Sequence, residues 1–314
     1  MNCGALAAGD LPALQRIGVD VWRIPAARGE PDESNRGATV ELLLARDGSR
    51  LWLVGSGPTP AYGAALACAV KALLGRRVSD VVNTRAAPEL AMGNAAFDGA
   101  RVWALPAVTT AMRERCEACR ERLARRLGAA GASLRPDLVR VPTAPVGRPG
   151  ATAGSLGPFA WRELVRAPDE PVLVLRHRAS GIVLAQGLVW AGDVPDLRDT
   201  RSDTLRASLR TLRRLVGTGL VLGEQGGLVR GDAIDAQIAY IDALRHEVRE
   251  TLARGDVQGA AGRGIELPAF VDLPGYATRH PLNVQRVWRE LESQSFDDRA
   301  DQSGRPATFQ RSLR

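Results

Sequence analysis

Lysine, histidine and aromatic residues are scarce in this chain of 314 residues. It has one lysine, three histidines and an aromatic content of 4%, although its formal net charge is +7. The positive charge comes from arginines that are scattered among acids, as in RERCEACRERLARR (113–126). Nucleic-acid binding needs clustered cations that neutralise phosphates, or aromatic rings on which bases stack. The composition therefore argues against a nucleic-acid partner.

Long apolar runs are absent as well, which limits the classes of protein that the chain can form. No run approaches the roughly 20 apolar residues that a membrane-spanning helix needs, so we expect no membrane span. The first residues, MNCGALAAGDLPALQ, lack the basic start and apolar stretch of an export signal. As written, the sequence predicts a cytoplasmic protein, and its hydrophobic content of 45% predicts a substantial core.

The four cysteines do not supply a complete metal site. Cys116 and Cys119 form a single C-x-x-C pair, whereas Cys3 and Cys68 stand apart in the sequence. A structural zinc site takes four ligands, and this pair offers two. Two interpretations of the pair remain open. It is either a local redox couple or disulfide, or two ordinary thiols on one face of a helix.

Hydrophobic periodicity divides the chain into two successive series, each with strands before helices. In the first series, strands are predicted at 19–26, 38–45, 50–57, 78–84 and 101–106, and helices at 60–75 and 107–128. In the second series, strands are predicted at 172–177 and 181–190, a strand followed by a loop at 218–227, and helices at 202–217 and 232–255. This order predicts two sheets packed together with helices outside, in a single domain over residues 1–290.

Two segments fall outside this pattern. Residues 129–160 are rich in Gly, Pro, Ala and Thr, which predicts a long surface loop. Residues 291–314 are mostly polar, which predicts a disordered tail.

Four segments carry a resemblance to a known family, and they follow one another in the family's order. They are SNRGATVELLLARDGSRLWLVGSGPTP (34–60), VSDVVNTRAAPELAMGNAAFDGARVWALP (78–106), GIVLAQGLVWAGDVPDLRDT (181–200) and ELPAFVDLPGYATRHPLNVQRVWRELE (266–292). They resemble the metallo-β-lactamase-fold superfamily, and within it the quinoprotein relay system zinc metallohydrolases, a branch related to SoxH-like proteins. The resemblance implies an α+β protein, an αββα sandwich built from two β-then-α halves.

Active members of this family carry a zinc-binding loop of the form His-x-His-x-Asp-His, and the loop NTRAAPELAMGN (83–94) resembles it in place. Such ligands hold zinc while leaving a position open for the water that attacks the substrate. Here Arg85 and Ala87 stand for the first two histidines, Glu89 for the aspartate and Leu90 for the third histidine. The resemblance therefore implies that this loop has lost its metal ligands.

The other ligands that the resemblance implies are replaced too. Gly187 stands for the bridging aspartate, Gln225 for the final histidine and Gly55 for an aspartate after an earlier strand. Segment 163–172, where a further histidine is expected, contains none. The only histidines of the chain are His177, His246 and His280. They are too few to rebuild a dinuclear site, so we expect structural histidines, with His280 hydrogen-bonded to a loop, and no bound zinc.

These replacements predict a non-catalytic protein whose cleft binds a ligand or a partner protein. We expect an ion pair between Arg85 and Glu89 to fill the vacated metal site, because the permanent cation of an arginine repels a metal ion. By resemblance, the partner belongs to a periplasmic dehydrogenase system, which would place the protein in the periplasm.

A second interpretation keeps an enzymatic activity. In it, Glu89, Glu224 and His280 hold one metal ion or supply a general base in an atypical hydrolase. A third interpretation is a chain without a selected biochemical role. The metal content of the purified protein separates the first two interpretations.

Overall fold

The computed structural model describes Cys3, residues 11–255 and residues 264–302, and shows two β-sheets between layers of helices. Within these residues the first sheet has seven strands in sequence order: β1 (Gln15–Gly18), β2 (Val21–Ile24), β3 (Leu42–Asp47), β4 (Arg50–Val54), β5 (Asp80–Val82), β6 (Arg101–Ala104) and β7 (Ala144–Pro145). Strands β1 to β4 pair antiparallel, and β4 to β7 pair parallel.

The second sheet is formed by the later part of the chain. Its strands are β8 (Ala153–Leu156), β9 (Phe159–Ala167), β10 (Glu170–His177), β11 (Val183–Leu184), β12 (Leu220–Leu222) and β13 (Leu228–Arg230). Their spatial order is β13-β12-β11-β10-β9-β8, and all pairs are antiparallel except β11 with β12.

Helices cover the outer faces of both sheets or pack along the edges of the sandwich. They are α1 (Pro60–Leu74), α2 (Pro88–Ala91), α3 (Pro106–Leu127), α4 (Ser202–Val216), α5 (Ala233–Ala253) and α6 (Tyr276–Gln302), and 3-10 turns occur at Met92–Ala96, Gly128–Gly131, Pro136–Leu138 and Pro268–Phe270. Helix α1 begins where the side chain of Thr59 accepts a hydrogen bond from the backbone N–H of Tyr62 (3.0 Å). No helix in the described ranges combines the length and apolar content needed to cross a bilayer.

Strand β10 illustrates how a sheet is buried on both faces. Leu173 and Leu175 pack into the core between the two sheets, whereas Val172 and Val174 pack against α4, α5 and α6. Successive side chains of a strand point to opposite faces, so one short apolar run serves two cores. The first sheet is covered in the same way by Leu66 of α1. The layer order is therefore αββα, and the predicted fold class is confirmed.

Two of the predicted elements are wrong in extent. Residues 129–160 contain β7, β8 and the start of β9 besides turns, so they are not a long loop. Strands β7 and β8 exist because they pair with longer neighbours, which composition does not reveal. The predicted strand over 181–190 reduces to β11, because Gly187 has a φ of +76° and turns the chain.

The C-terminal segment is more ordered than the sequence predicts. Helix α6 continues to residue 302, so the predicted disordered tail does not begin at residue 291. Leu291 is 5% exposed and packs into the core with Val287 and Trp288, and this contact keeps the helix in place. The remainder of the predicted tail, residues 303–314, lies outside the described residues.

The cysteines form one disulfide that the sequence did not indicate. It joins Cys3 to Cys68 of α1, which are 65 residues apart. Cys116 and Cys119 are free, so the pair does not form the disulfide that one interpretation allowed. Burial, with a smaller contribution from Cys119, raises the pKa of Cys116 to about 11, so its reactive thiolate is scarce at neutral pH.

Candidate ligand cleft

A cleft of about 410 Å³ opens at one edge of the sandwich, where strands of both sheets end. Arg85 and Glu89 follow β5, Arg166 lies near the end of β9, Trp190 follows β11 and Glu224 follows β12. Loops that follow neighbouring strands meet at one edge of a sheet, so residues distant in sequence share this cleft. The predicted site positions that line it are Arg85, Ala87, Glu89, Glu224 and Gln225.

The innermost ion pair of the cleft joins Arg85 to Glu224. The other carboxylate oxygen of Glu224 accepts a hydrogen bond from the backbone N–H of Gly187 (2.7 Å). Burial acts to lower the pKa of Arg85, but Glu224 and, more weakly, Glu89 outweigh it, and the pKa is raised. Arg85 is therefore a permanent cation held in one orientation.

Gly187 leaves room for this arginine. A Cβ atom at Gly187 would lie 2.6 Å from Cδ and 2.8 Å from Nε of Arg85, both far inside van der Waals contact. Its φ of +76° also favours glycine over other residues. The position at which the resemblance expects a bridging aspartate therefore cannot hold a side chain while Arg85 keeps this conformation.

Apolar packing occupies three more of the predicted metal positions. Leu90 is 0% exposed, and a Cβ atom at Gly55 would lie 2.5 Å from its Cδ1. Gly55 has a φ of +78°, so the small residue serves both the turn and the close contact. Ala87, 4% exposed, belongs to the same apolar cluster. These three positions contribute to the core and offer no metal ligand.

Gln225 connects loops of the two halves. Its Nε2 donates to the carbonyl oxygens of Gly29 (2.8 Å) and Thr39 (3.0 Å). Its Oε1 accepts from the guanidinium of Arg279 (3.2 Å). Both ends of the amide are in use, so Gln225 holds the wall of the cleft together.

Glu89 is not the partner of Arg85 that the sequence suggested. The ion pair of Arg85 is made with Glu224, and Glu89 contributes a longer-range attraction. Burial raises the pKa of Glu89 above its ordinary value, against the lowering effect of Arg85. The hypothesis of an Arg85–Glu89 pair is therefore wrong, because a residue 139 positions away reaches the guanidinium first.

The histidines lie outside the cleft. His280 uses both ring nitrogens: Nε2 is 2.9 Å from the carbonyl oxygen of Ile265 and Nδ1 is 3.0 Å from the hydroxyl of Tyr240. The predicted hydrogen bond from His280 to a loop is thus confirmed. His177 pairs with Ser180 (2.9 Å), and His246 is exposed on α5. The set Glu89, Glu224 and His280 is consequently not brought together.

The donor set does not fit the zinc ion that the fold family implies. Arginine, leucine, alanine and glycine side chains supply no ligand at the five positions Arg85, Ala87, Leu90, Gly55 and Gly187. Over residues 11–255 and 264–302, no group of three or more His, Cys, Asp or Glu side chains is placed to hold a metal ion. A guanidinium and a buried leucine therefore occupy the positions at which the resemblance expects imidazoles.

Arg166 is the cleft residue that sequence reasoning missed. It lies in segment 163–172, where the resemblance expects a histidine, and its guanidinium is 5.8 Å from the centre of the Trp190 ring. Arg166 is 6% exposed, and burial together with the nearby charge of Arg85 lowers its pKa to about 10. Strand alternation offered a signal, because Arg166 shares the buried face of β9 with Leu164.

The outer wall of the cleft is a network of paired charges. Arg198 binds both Asp196 (2.6 Å) and Glu30 (2.8 Å), and Arg126 and Arg279 each approach Glu30 within 3.4 Å. Such a network holds loops from distant parts of the chain in a fixed arrangement. The wall is therefore polar and charged.

No protein-family model matches this chain, and no curated protein matches it. Solved structures do match in fold. The metallo-β-lactamase FIM-1 from Pseudomonas aeruginosa in its mono-zinc form superposes with a TM-score of 0.59 at 13% identity, over 74% of this chain and 95% of that one. The metallo-β-lactamase from Erythrobacter litoralis gives 0.58 at 16% identity, over 76% and 98%. That from Pontibacter korlensis gives 0.57 at 13%, over 74% and 99%. With its two sheets between helical layers, this protein has the metallo-β-lactamase fold.

Proposed function

We propose that this protein is a non-catalytic member of the metallo-β-lactamase superfamily that binds a ligand in the cleft without a metal ion. The observation that carries the proposal is the ion pair of Arg85 and Glu224 beside Gly187. A fixed guanidinium repels a divalent cation, and the missing side chain at Gly187 removes a ligand. Leu90 and Gly55 support the same conclusion, because apolar packing fills their positions.

Elemental analysis tests this proposal. The protein is purified, incubated with zinc, iron or manganese, freed of unbound metal and analysed, and it is assayed for hydrolysis of a chromogenic β-lactam and a thioester. We expect substoichiometric metal and no turnover. The double variant C116S/C119S serves as a control, because thiols scavenge zinc outside any catalytic site. Stoichiometric metal in that variant, with activity that chelation removes, would overturn the proposal.

One observation favours a second candidate function, metal-free hydrolysis with Glu89 as general base. Glu89 lines the cleft, and its pKa is raised towards the range in which a carboxylate accepts protons at neutral pH. Turnover that survives chelation and disappears in E89Q would support this function. Metal-free turnover and substrate binding that both persist in E89Q would exclude it.

We further propose that the protein belongs to the quinoprotein relay branch and serves a periplasmic dehydrogenase system. The segment that carries this resemblance forms most of α6, where Val287 and Trp288 pack in the core. The disulfide between Cys3 and Cys68 supports an oxidising compartment. Fractionation of cells that express the native gene tests the location, and recovery in the cytoplasm with both cysteines reduced would contradict it.

A further inference from the structure

The guanidinium of Arg166 lacks the ion-pair partner that the neighbouring Arg85 possesses. Arg85 and Arg166 lie on either side of Gly187: a Cβ atom there would be 2.6 Å from Cδ of Arg85 and 3.5 Å from Cδ of Arg166. Arg85 has Glu224, whereas no carboxylate or carbonyl group within the described ranges accepts a hydrogen bond from the Arg166 side chain. Arg166 therefore makes no direct ion pair, and Glu224, Asp196 and Asp199 attract its charge only from a longer distance.

This arrangement is unusual because a buried charge is costly unless it is paired. Arg166 is 6% exposed, and its Nε is fully buried without a hydrogen-bond partner. The face of the Trp190 ring supports the guanidinium, and this contact does not satisfy its N–H groups. Since Arg166 lines the cleft and the two terminal amino groups of its guanidinium are not fully buried, these groups can donate hydrogen bonds to a molecule that enters there.

The rest of the lining specifies the charge of that molecule. The charged lining residues are Arg85, Arg115, Arg122, Arg126, Arg166, Arg198 and Arg279, with Glu30, Glu89, Glu170, Asp196, Asp199 and Glu224. Seven arginines face six carboxylates, so the lining carries an excess of positive charge whether or not Glu89 is ionised. A negatively charged ligand balances this excess.

We infer that the cleft binds a small polar carboxylic acid whose carboxylate pairs with Arg166, as Glu224 pairs with Arg85. A planar carboxylate matches the two parallel N–H groups of a guanidinium better than other common anions do. A volume of about 410 Å³ suits a small metabolite and is too small for a protein segment of many residues. This inference rests on the proposed function, because a metal ion in the cleft would itself attract the anion.

Calorimetric titration tests the inference with a pair of probes that differ in one group. Lactate carries the carboxylate, and lactamide replaces it with a neutral amide of similar shape; malate and inorganic phosphate complete the series. We expect lactate to bind with a dissociation constant on the order of 1 mM or tighter, and lactamide not to bind. Titrations are run at constant ionic strength on the same preparation that is analysed for metal.

Variants of β9 connect the binding to Arg166. R166Q should weaken lactate binding about tenfold or more, as loss of a charge-assisted pair predicts. R162Q is the matched control, because Arg162 lies four residues earlier on the same strand and is exposed; its affinity should equal that of the wild type. R166K provides a second variant that retains the charge and should bind more weakly than the wild type.

Stability supplies a readout that does not depend on the probe. Removing an unpaired buried cation should raise the melting temperature of ligand-free R166Q by about 2–4 °C or more, whereas R162Q should not change it. Equal lactate affinity of R166Q and the wild type would overturn the inference, as would binding of phosphate in preference to all carboxylates. Failure of every carboxylate to bind a metal-free preparation would overturn it too and leave the proposed function standing. Stoichiometric metal would instead overturn the proposed function.

Discussion

Replacing Gly187 with alanine tests the spatial logic of the cleft. A Cβ atom at this position would approach Cδ and Nε of Arg85 to 2.6 and 2.8 Å. These atoms lie in the middle of a side chain whose end is held by Glu224, so they cannot move aside freely. The backbone at Gly187 also has a φ of +76°, which disfavours alanine.

The strained backbone at position 187 and the steric overlap with Arg85 each lower the free energy of unfolding, by amounts that can be estimated separately. The left-handed conformation costs alanine about 1–2 kcal/mol, and the steric overlap adds about 1–3 kcal/mol. We therefore expect G187A to lower the free energy of unfolding by roughly 2–5 kcal/mol. The steric part should vanish where Arg85 is absent, while the backbone part should remain.

Denaturation by guanidinium chloride measures both parts in a mutant cycle. G187A is compared in the wild type and in the background R85A/E224Q, which removes the long side chain and the charge of its partner together. The expected loss in that background is about 1–2 kcal/mol, so the coupling between the sites is about 1–3 kcal/mol. An equal loss in both backgrounds would refute the conclusion that Arg85 excludes a side chain from position 187.

Three further predictions concern the charges and the disulfide. E224A should lower the free energy of unfolding by about 3–5 kcal/mol because it leaves a buried arginine unpaired. E170A breaks the more exposed ion pair with Arg115 and should lower it by less than about 1 kcal/mol. Equal shifts of the two denaturation midpoints would contradict this. Glu89 has a raised pKa in the fold, so its contribution to stability is present below pH 4.5 and is lost as the pH rises through the pKa of the folded state. E89Q should therefore be more stable than the wild type at neutral pH and equally stable at acid pH. Parallel pH profiles of the melting temperature for the two proteins would count against this. The disulfide Cys3–Cys68 closes a loop with a sequence separation of 65, and its reduction should lower the free energy of unfolding by up to about 4 kcal/mol. Replacing the two thiols of α3 by serine should leave the stability under oxidising conditions nearly unchanged. An unaltered melting temperature after verified reduction would exclude a stabilising role of the disulfide.

Local pattern predicted most of the secondary structure because strands and helices bury faces with a short sequence period. Helix α1 spans residues 60–74 where a helix at 60–75 was predicted, since Thr59 and Gly75 mark its ends in the sequence itself. Strands β7 and β8 were missed, because a strand of two to four residues is stabilised by its partner strand and carries little signal of its own.

Resemblance to a family predicted which positions lack a metal ligand, but not what the residues at those positions do. The resemblance marks Leu90 and Gly55 as positions without a metal ligand. Only the fold shows that the side chain of Leu90 fills the space beside Gly55, where a Cβ atom would otherwise lie. The partner of Arg85 was predicted four residues away and is found 139 residues away, because the loops that follow β5 and β12 meet at one edge of the sandwich.

The sequence by itself determined the layer order and the scarcity of histidine, because these are properties of residue type and local periodicity. The replacement of the family's metal ligands is what its resemblance to the family implies. Tertiary structure alone decided that Arg85 forms a direct ion pair with Glu224 and that Arg166 forms none with any described side chain. Pairing of charges depends on distances between loop ends that are far apart in the chain, and those distances are set by the packing of the two sheets. The cleft consequently contains a buried guanidinium, that of Arg166, without a direct ion pair, a property that no single segment of the sequence encodes.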